Sequence, residues 1–240
     1  DMAFEQMGGV LKLSYDISSA WNIIGDLNVT HFNAANPGPV NAPRIDNDSH
    51  ITRGMGAIAI QNRYKKSWGA INAFFNWGRH RINDGYVQGG KPLDYRFNSK
   101  DRMAGISFYQ NATFFTGNLI TAGFDYQRFG GKAWNHFLNT DTDQPLVDKT
   151  IDDLAGYIDF RQDIGKTITL DAGVRFDHNS HTGNEWIPQG GLTLYLPRRT
   201  ELKAVVSKGF RNPTIREMYM FPPQNPNLQP EKVINYEIAF

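Results

Sequence analysis

Period-two alternation over long stretches constrains this chain more than any other feature. The cleanest stretch is 168–177, where Ile168, Leu170, Ala172, Val174 and Phe176 alternate with Thr169, Asp171, Gly173, Arg175 and Asp177. Successive side chains of an extended strand point to opposite faces, so this stretch has one apolar face and one charged face. The same pattern opens the chain. Leu11, Leu13 and Tyr15 alternate with Lys12, Ser14 and Asp16, and Ile23, Leu27 and Val29 with Asp26, Asn28 and Thr30. Ile58 and Ile60 mark a third run; Ile71, Ala73, Phe75 and Trp77 lie opposite Asn72, Phe74 and Asn76 in a fourth. Runs around Ile106, Phe124, Ile158 and Leu194 continue it, Leu202–Val206 is a tenth, and an eleventh begins near Val233.

A sheet that is apolar on one side needs a second sheet or lipid against it. These runs approach ten residues, the length that carries a tilted strand across a bilayer. Their connections alternate in kind. Tight ones fall near 18–20, 65–67, 116–118, 165–166 and 197–199; long polar ones are expected over 33–49, 81–100 and 130–149, with a shorter one over 178–185. Short turns on one side of a membrane and long loops on the other are the habit of outer-membrane barrels. Trp21 and Trp68 follow short turns, and Trp134 and Trp186 lie near long connections, where interface girdles belong. A soluble sandwich also alternates, but seldom over runs this long with groups as bulky as Asp171, Arg175 and Asp177 on one face. No stretch approaches the ~20 apolar residues of a spanning helix. With 25 basic and 24 acidic residues the net charge is +1, which gives no reason to expect a nucleic-acid partner. There is no cysteine, hence no disulfide and no thiolate metal site.

The tenth and eleventh runs are joined by a stretch holding Pro213, Pro222, Pro223, Pro226 and Pro230, where ladder pairing cannot be sustained. In it, Phe210-Arg211-Asn212-Pro213 is followed by Glu217-Met218-Tyr219, then by Asn225-Pro226-Asn227-Leu228-Gln229-Pro230-Glu231 and Asn235-Tyr236-Glu237. These pieces, in this order, resemble the mid-barrel signature of TonB-dependent outer-membrane receptors. The resemblance implies an all-β, antiparallel transmembrane barrel of about 22 strands with a plug in its lumen, of which about 11 strands are expected here. Residues 1–240 would then be part of the barrel domain, with the plug and later strands absent from this chain. A terminal Phe240 on an alternating strand also resembles the signal that closes complete barrels, which keeps a small barrel ending there as an alternative.

The resemblance further implies an outer-membrane location in a Gram-negative bacterium, with membrane lipid as surroundings. The ligand would be small: an iron-siderophore or another metal chelate, a cobalamin or a glycan. Energy would come from the TonB complex acting through the missing plug. In haem receptors of this family a similar motif pair flanks a haem-ligating His; the interval 214–224 has none, so no haem ligation is expected from it. The family-motif positions are Phe210, Arg211, Pro213, Asn225, Pro226, Leu228, Pro230 and Glu231. Candidate ligand contacts are Arg211, Glu217, Tyr219, Phe221, Trp134 and Tyr95, charged or aromatic groups placed in the expected loops. Arg211 and Glu217 could instead pair with each other to hold the loop, and the aromatics could pack among themselves. Met218 and Met220 are soft donors that could take Cu(I), or apolar fillers beneath the loop. His178 and His181 with Asp177 make a poor metal site on a hairpin. No nucleophile elbow, phosphate loop or zinc-protease motif is present, and Asp152-Asp153 reads as a charge pair rather than an acid/base dyad. We therefore expect no enzyme, no cofactor and no resident metal. A passive porin-like channel and a soluble β-rich surface-binding module remain the alternatives; unplugged conductance would mark the first, folding without detergent the second.

Overall fold

A computed structural model describes residues 3–240. Each alternating run is a strand: β1 (Phe4–Asp16), β2 (Trp21–Ala35), β3 (Arg44–Arg63), β4 (Ser67–Val87), β5 (Tyr95–Ala112), β6 (Asn118–Phe137), β7 (Thr142–Ile164), β8 (Ile168–Asn179), β9 (Gly183–Leu196), β10 (Thr200–Arg211) and β11 (Glu231–Ala239). They form one sheet in sequence order, every neighbour antiparallel. Consecutive connections therefore alternate between two ends. Residues 17–20, 64–66, 113–117, 165–167 and 197–199 lie at the turn end; 36–43, 88–94, 138–141, 180–182 and 212–230 lie at the loop end.

The register keeps the two faces apart. One row of directly opposed residues reads Tyr15, Ile23, Ile60, Ile71, Phe108, Phe124, Gly156, Phe176, Trp186 across β1 to β9. This face carries most of the exposed large apolar side chains, as a hydrocarbon-facing wall must. A row on the other face reads Ser14, Ile24, Ala59, Asn72, Ser107, Asp125, Ala155, Asp177, Glu185. Its polar groups satisfy one another across and along strands: Arg175 bonds Asp125 of β6 at 2.6 Å and Asp177 of its own strand at 3.3 Å. We call the apolar face outward and the polar face inward.

The apolar row starts beside the turn-end connection on β1 and finishes near the loop end on β9. Such climbing is the stagger of strands tilted about a barrel axis.

Two expectations need correction. The strands are longer than the membrane requires, 20 residues in β3 and 23 in β7. Most of 33–49, 81–100, 130–149 and 178–185 is accordingly strand, not loop. Beyond the apolar band both faces meet water, so the alternation fades while the ladders continue. Polar cross-strand pairs such as His50 with Asn33 (2.6 Å) and His136 with Asp143 (2.9 Å) line these extensions. The girdle also divides: Trp21, Trp134 and Trp186 share the outward face, whereas Trp68 pairs with Arg63 on the inward face.

Candidate functional site

Among the described residues, the 212–230 connection is the longest departure from the ladder at the loop end. Its first turn is built locally. Thr214-Ile215-Arg216-Glu217 is a capping box: the Glu217 backbone N–H donates to Thr214 Oγ1 (3.2 Å), while Glu217 Oε2 accepts from the Thr214 N–H (2.7 Å) and hydroxyl (2.9 Å). This opens a single π-helical turn, Arg216–Met220. Met218 on that turn is fully buried (0 % exposed), which makes it the apolar filler of the two expected roles.

Arg211, at the end of β10, ties the connection shut. Its Nη2 lies 3.2 Å from Glu217 Oε1 and 2.9 Å from Glu231 Oε1, and its Nε donates to Glu231 Oε2 at 3.1 Å. One planar guanidinium thus joins the last residue of β10, the π turn and the first residue of β11. The Thr214 N–H, followed by the Arg211 guanidinium, holds the Glu217 carboxyl down to about 2. Arg211 and Glu217 therefore satisfy each other, the structural alternative to ligand contact.

From this clamp the connection folds inward over the wall. Tyr219 receives Lys149 Nζ 4.9 Å from its ring centroid, and Phe221 packs on Phe97 of β5 with centroids 6.2 Å apart. Thr182 donates to Asn212 (2.9 Å). His181 Nε2 donates to the Pro226 carbonyl (3.0 Å) and Nδ1 accepts from the Tyr219 hydroxyl (3.4 Å), which fixes its tautomer. Pro213 is buried at the root of the connection. Asn225 and Leu228 line a hollow with Arg216 and Phe221, and Phe210 pairs with Lys232 where the ladder resumes. Pro230 precedes Glu231, the clamp's second carboxylate.

Between connection and wall lies a cavity of about 540 Å³, lined by Arg53, His80, Asp101, Phe129, Arg216 and Met220 among others. Arg53, Gly78 and Asp101 form one inward row across β3, β4 and β5. Asp101 bonds Arg53 at 3.1 Å and His80 Nε2 at 3.0 Å. Gly78 leaves room for that carboxylate; a Cβ there would stand 2.3 Å from Asp101 Oδ1.

The structure gathers Arg211, Glu217, Tyr219 and Phe221 at this site and separates two other candidates. Tyr95 faces inward but packs on Phe137, centroids 5.8 Å apart. Trp134 lies on the outward face, between the Lys100 and Lys132 ammonium groups. His178 bonds Asn184 outward while Asp177 bonds Arg175 inward, because neighbours on a strand point apart. For the same reason Asp152 meets Tyr126 on one face and Asp153 meets Gln127 on the other. Among the described residues no group of three or more His, Asp or Glu side chains could hold a metal ion. Arg53, Asp101 and Phe97 were not singled out from sequence; their signal was parity, each being on the polar phase of its run.

Residues 9–240 match the family described as TonB dependent receptor-like, beta-barrel. The chain belongs to that family. The "Iron-regulated outer membrane virulence protein" of Vibrio cholerae serotype O1 is 26% identical over 191 residues, 74% of this chain and 28% of that protein. The siderophore receptor PirA from Acinetobacter baumannii superposes with a TM-score of 0.79 at 15% identity, over 98% of this chain and 40% of PirA. The ferric citrate transporter FecA superposes with a TM-score of 0.72 at 16% identity, over 99% of this chain and 40% of FecA. This TonB-dependent receptor barrel segment thus spans less than half the length of the relatives it matches.

Proposed function

We propose that this segment is part of the wall of an outer-membrane receptor that imports a ferric siderophore, or a chemically similar anionic metal chelate, with energy from the TonB complex. The observation that carries this is the inward fold of 212–230. It makes a cavity of about 540 Å³, within the range of small-ligand sites, lined by Arg53, His80, Phe129 and Arg216 among others. Arg216 packs on Phe221, its guanidinium carbon 5.3 Å from the ring centroid, and Lys149 on Tyr219; each leaves polar hydrogens for an anion. Arg53 and His80 line the same cavity, and Phe97 packs on Phe221 of the connection. Arg211, Glu217 and Glu231 act as the clamp that holds this arrangement. Solved structures named as a siderophore receptor and a ferric citrate transporter favour the iron class. The plug that TonB would act upon lies, in this reading, elsewhere in the full-length protein.

The test is uptake of radiolabelled ferric siderophores by cells carrying the full-length receptor, with and without TonB. Saturable uptake that disappears without TonB is the expected result. Uptake independent of TonB, together with steady conductance in planar bilayers, would instead establish a passive channel.

A further inference from the structure

The cavity between the 212–230 connection and the wall is hollowed out by small residues of β6. Inward rows of the register run along its floor. Ser99 stands opposite Ala133, and Ala133 opposite Val147. Toward the turn end Asp101 stands opposite Gly131, and then Met103 opposite Phe129. The inward side chains of β6 thus shrink to Gly131 and Ala133, between Phe129 and Met103 on one side and Val147 on the other. The connection supplies the facing surface through Pro213, Ile215 and Met220. Small residues set among larger apolar ones leave a space that close packing would otherwise fill.

Most polar side chains that line this space already have partners. Asp101 bonds Arg53 and His80. The Thr214 hydroxyl donates to Glu217 (2.9 Å), and Asn212 accepts from Thr182 (2.9 Å). A water held inside would need roughly two to four polar partners, whereas a cavity lined largely by carbon stays dry and accepts apolar guests. Two cations adjoin it. Arg216 lines it from the connection, and Lys149 stands opposite Gly131 on the neighbouring strand. Neither has an ion pair among the described residues; Arg216 packs on Phe221 and Lys149 on Tyr219 instead. A ligand suited to this arrangement is anionic at one end and apolar at the other.

We propose that this cavity takes an acyl chain carried by the chelate, while the anionic metal centre stays at Arg216 and Lys149. The inference rests on the import reading above and narrows it to amphiphilic chelates. Ala133 and Val147 determine the fit of the chain, and the volume of about 540 Å³ limits its length. Each methylene that leaves water for the cavity should tighten binding by up to about fourfold until the space is full.

Calorimetric titration of the full-length receptor in lipid nanodiscs, corrected with empty discs, tests this. The probes are ferric chelates that differ only in one acyl group, from acetyl through hexanoyl and decanoyl to tetradecanoyl, each made on a tris-catecholate and on a citrate-dihydroxamate head. On a head that binds, the hexanoyl form should bind at least about tenfold tighter than the acetyl form, and the gain should level off with length. A133L and V147F, which fill the space from two strands, should each bring that ratio near one. R216Q should weaken every form by a similar factor and leave the ratio in place. Heat-modifiable migration checks assembly of each variant; if neither filling variant assembles, the levelling-off in the wild type and the R216Q ratio decide. Equal affinity along the series, a gain that rises with length without limit, or a ratio that both filling variants leave intact overturns the proposal and leaves import standing. No binding of any form on either head overturns the import reading as well.

Discussion

The inward and outward faces of β4 and β5 use the same strands at the same height and end in opposite electrostatic states. Inward, Asp101 is shared by Arg53 and His80 over a glycine that makes room for it, and the 212–230 connection folds across the top. Outward, one residue away along each strand, Arg79, Lys100 and Arg102 have no ion pair among the described residues and flank an open cleft. Period two therefore does more than separate apolar from polar. Across β3, β4 and β5 it also separates a cation paired with a carboxylate, Arg53 with Asp101, from cations that have no ion pair among the described residues.

The comparison breaks hardest at Met218. Truncating this fully buried side chain (M218A) should cost about 2–5 kcal/mol of the docking of the π turn, read as faster hydrogen exchange across 212–230 with the strand ladders unchanged. R211A comes next. It leaves Glu217 and Glu231 facing each other without their shared cation, and should weaken chelate binding about tenfold while making 212–230 susceptible to protease. Acid should do the same gradually. The Glu217 carboxyl is ionised in the closed connection down to about 2, against an ordinary 4.5, so its contribution is complete above 4.5 and is lost as pH falls toward 2. Protease resistance of the connection should follow that course, and E217Q should be flat across the same window. The smallest effect sharpens the contrast: single R79Q, an exposed change, should alter stability by less than about 0.5 kcal/mol and leave chelate uptake within about twofold of wild type. A large loss of uptake would mean the two faces are coupled.

All eleven strands, and which residues share a face, were legible because lipid on one side and polar contents on the other impose a period a reader can count. The strand ends were not. At His31 or His136 both faces are wet, and pairing rests on neighbours such as Thr52 or Asp143 that become neighbours only once the register is known. The motif residues of the 210–231 stretch were visible, and so was the alternative that Arg211 and Glu217 pair. The inward fold itself was hidden, since it rests on Phe97, Lys149 and His181, each far away in sequence. Trp134 misled as a loop aromatic because an apparent loop was a strand extension, and a strand assigns it to the outside.

The climbing row from Tyr15 to Trp186 means that this wall behaves like a screw thread cut in steps of two residues. A single residue inserted into β5 would exchange the environments of everything beyond it on that strand, sending Asp101 toward lipid and Arg102 toward the cavity. Two inserted residues would keep each side chain on its face and only advance the strand by one step of the thread. Length changes in such a protein should accumulate freely at 36–43 or 88–94, and within the strands only in even numbers.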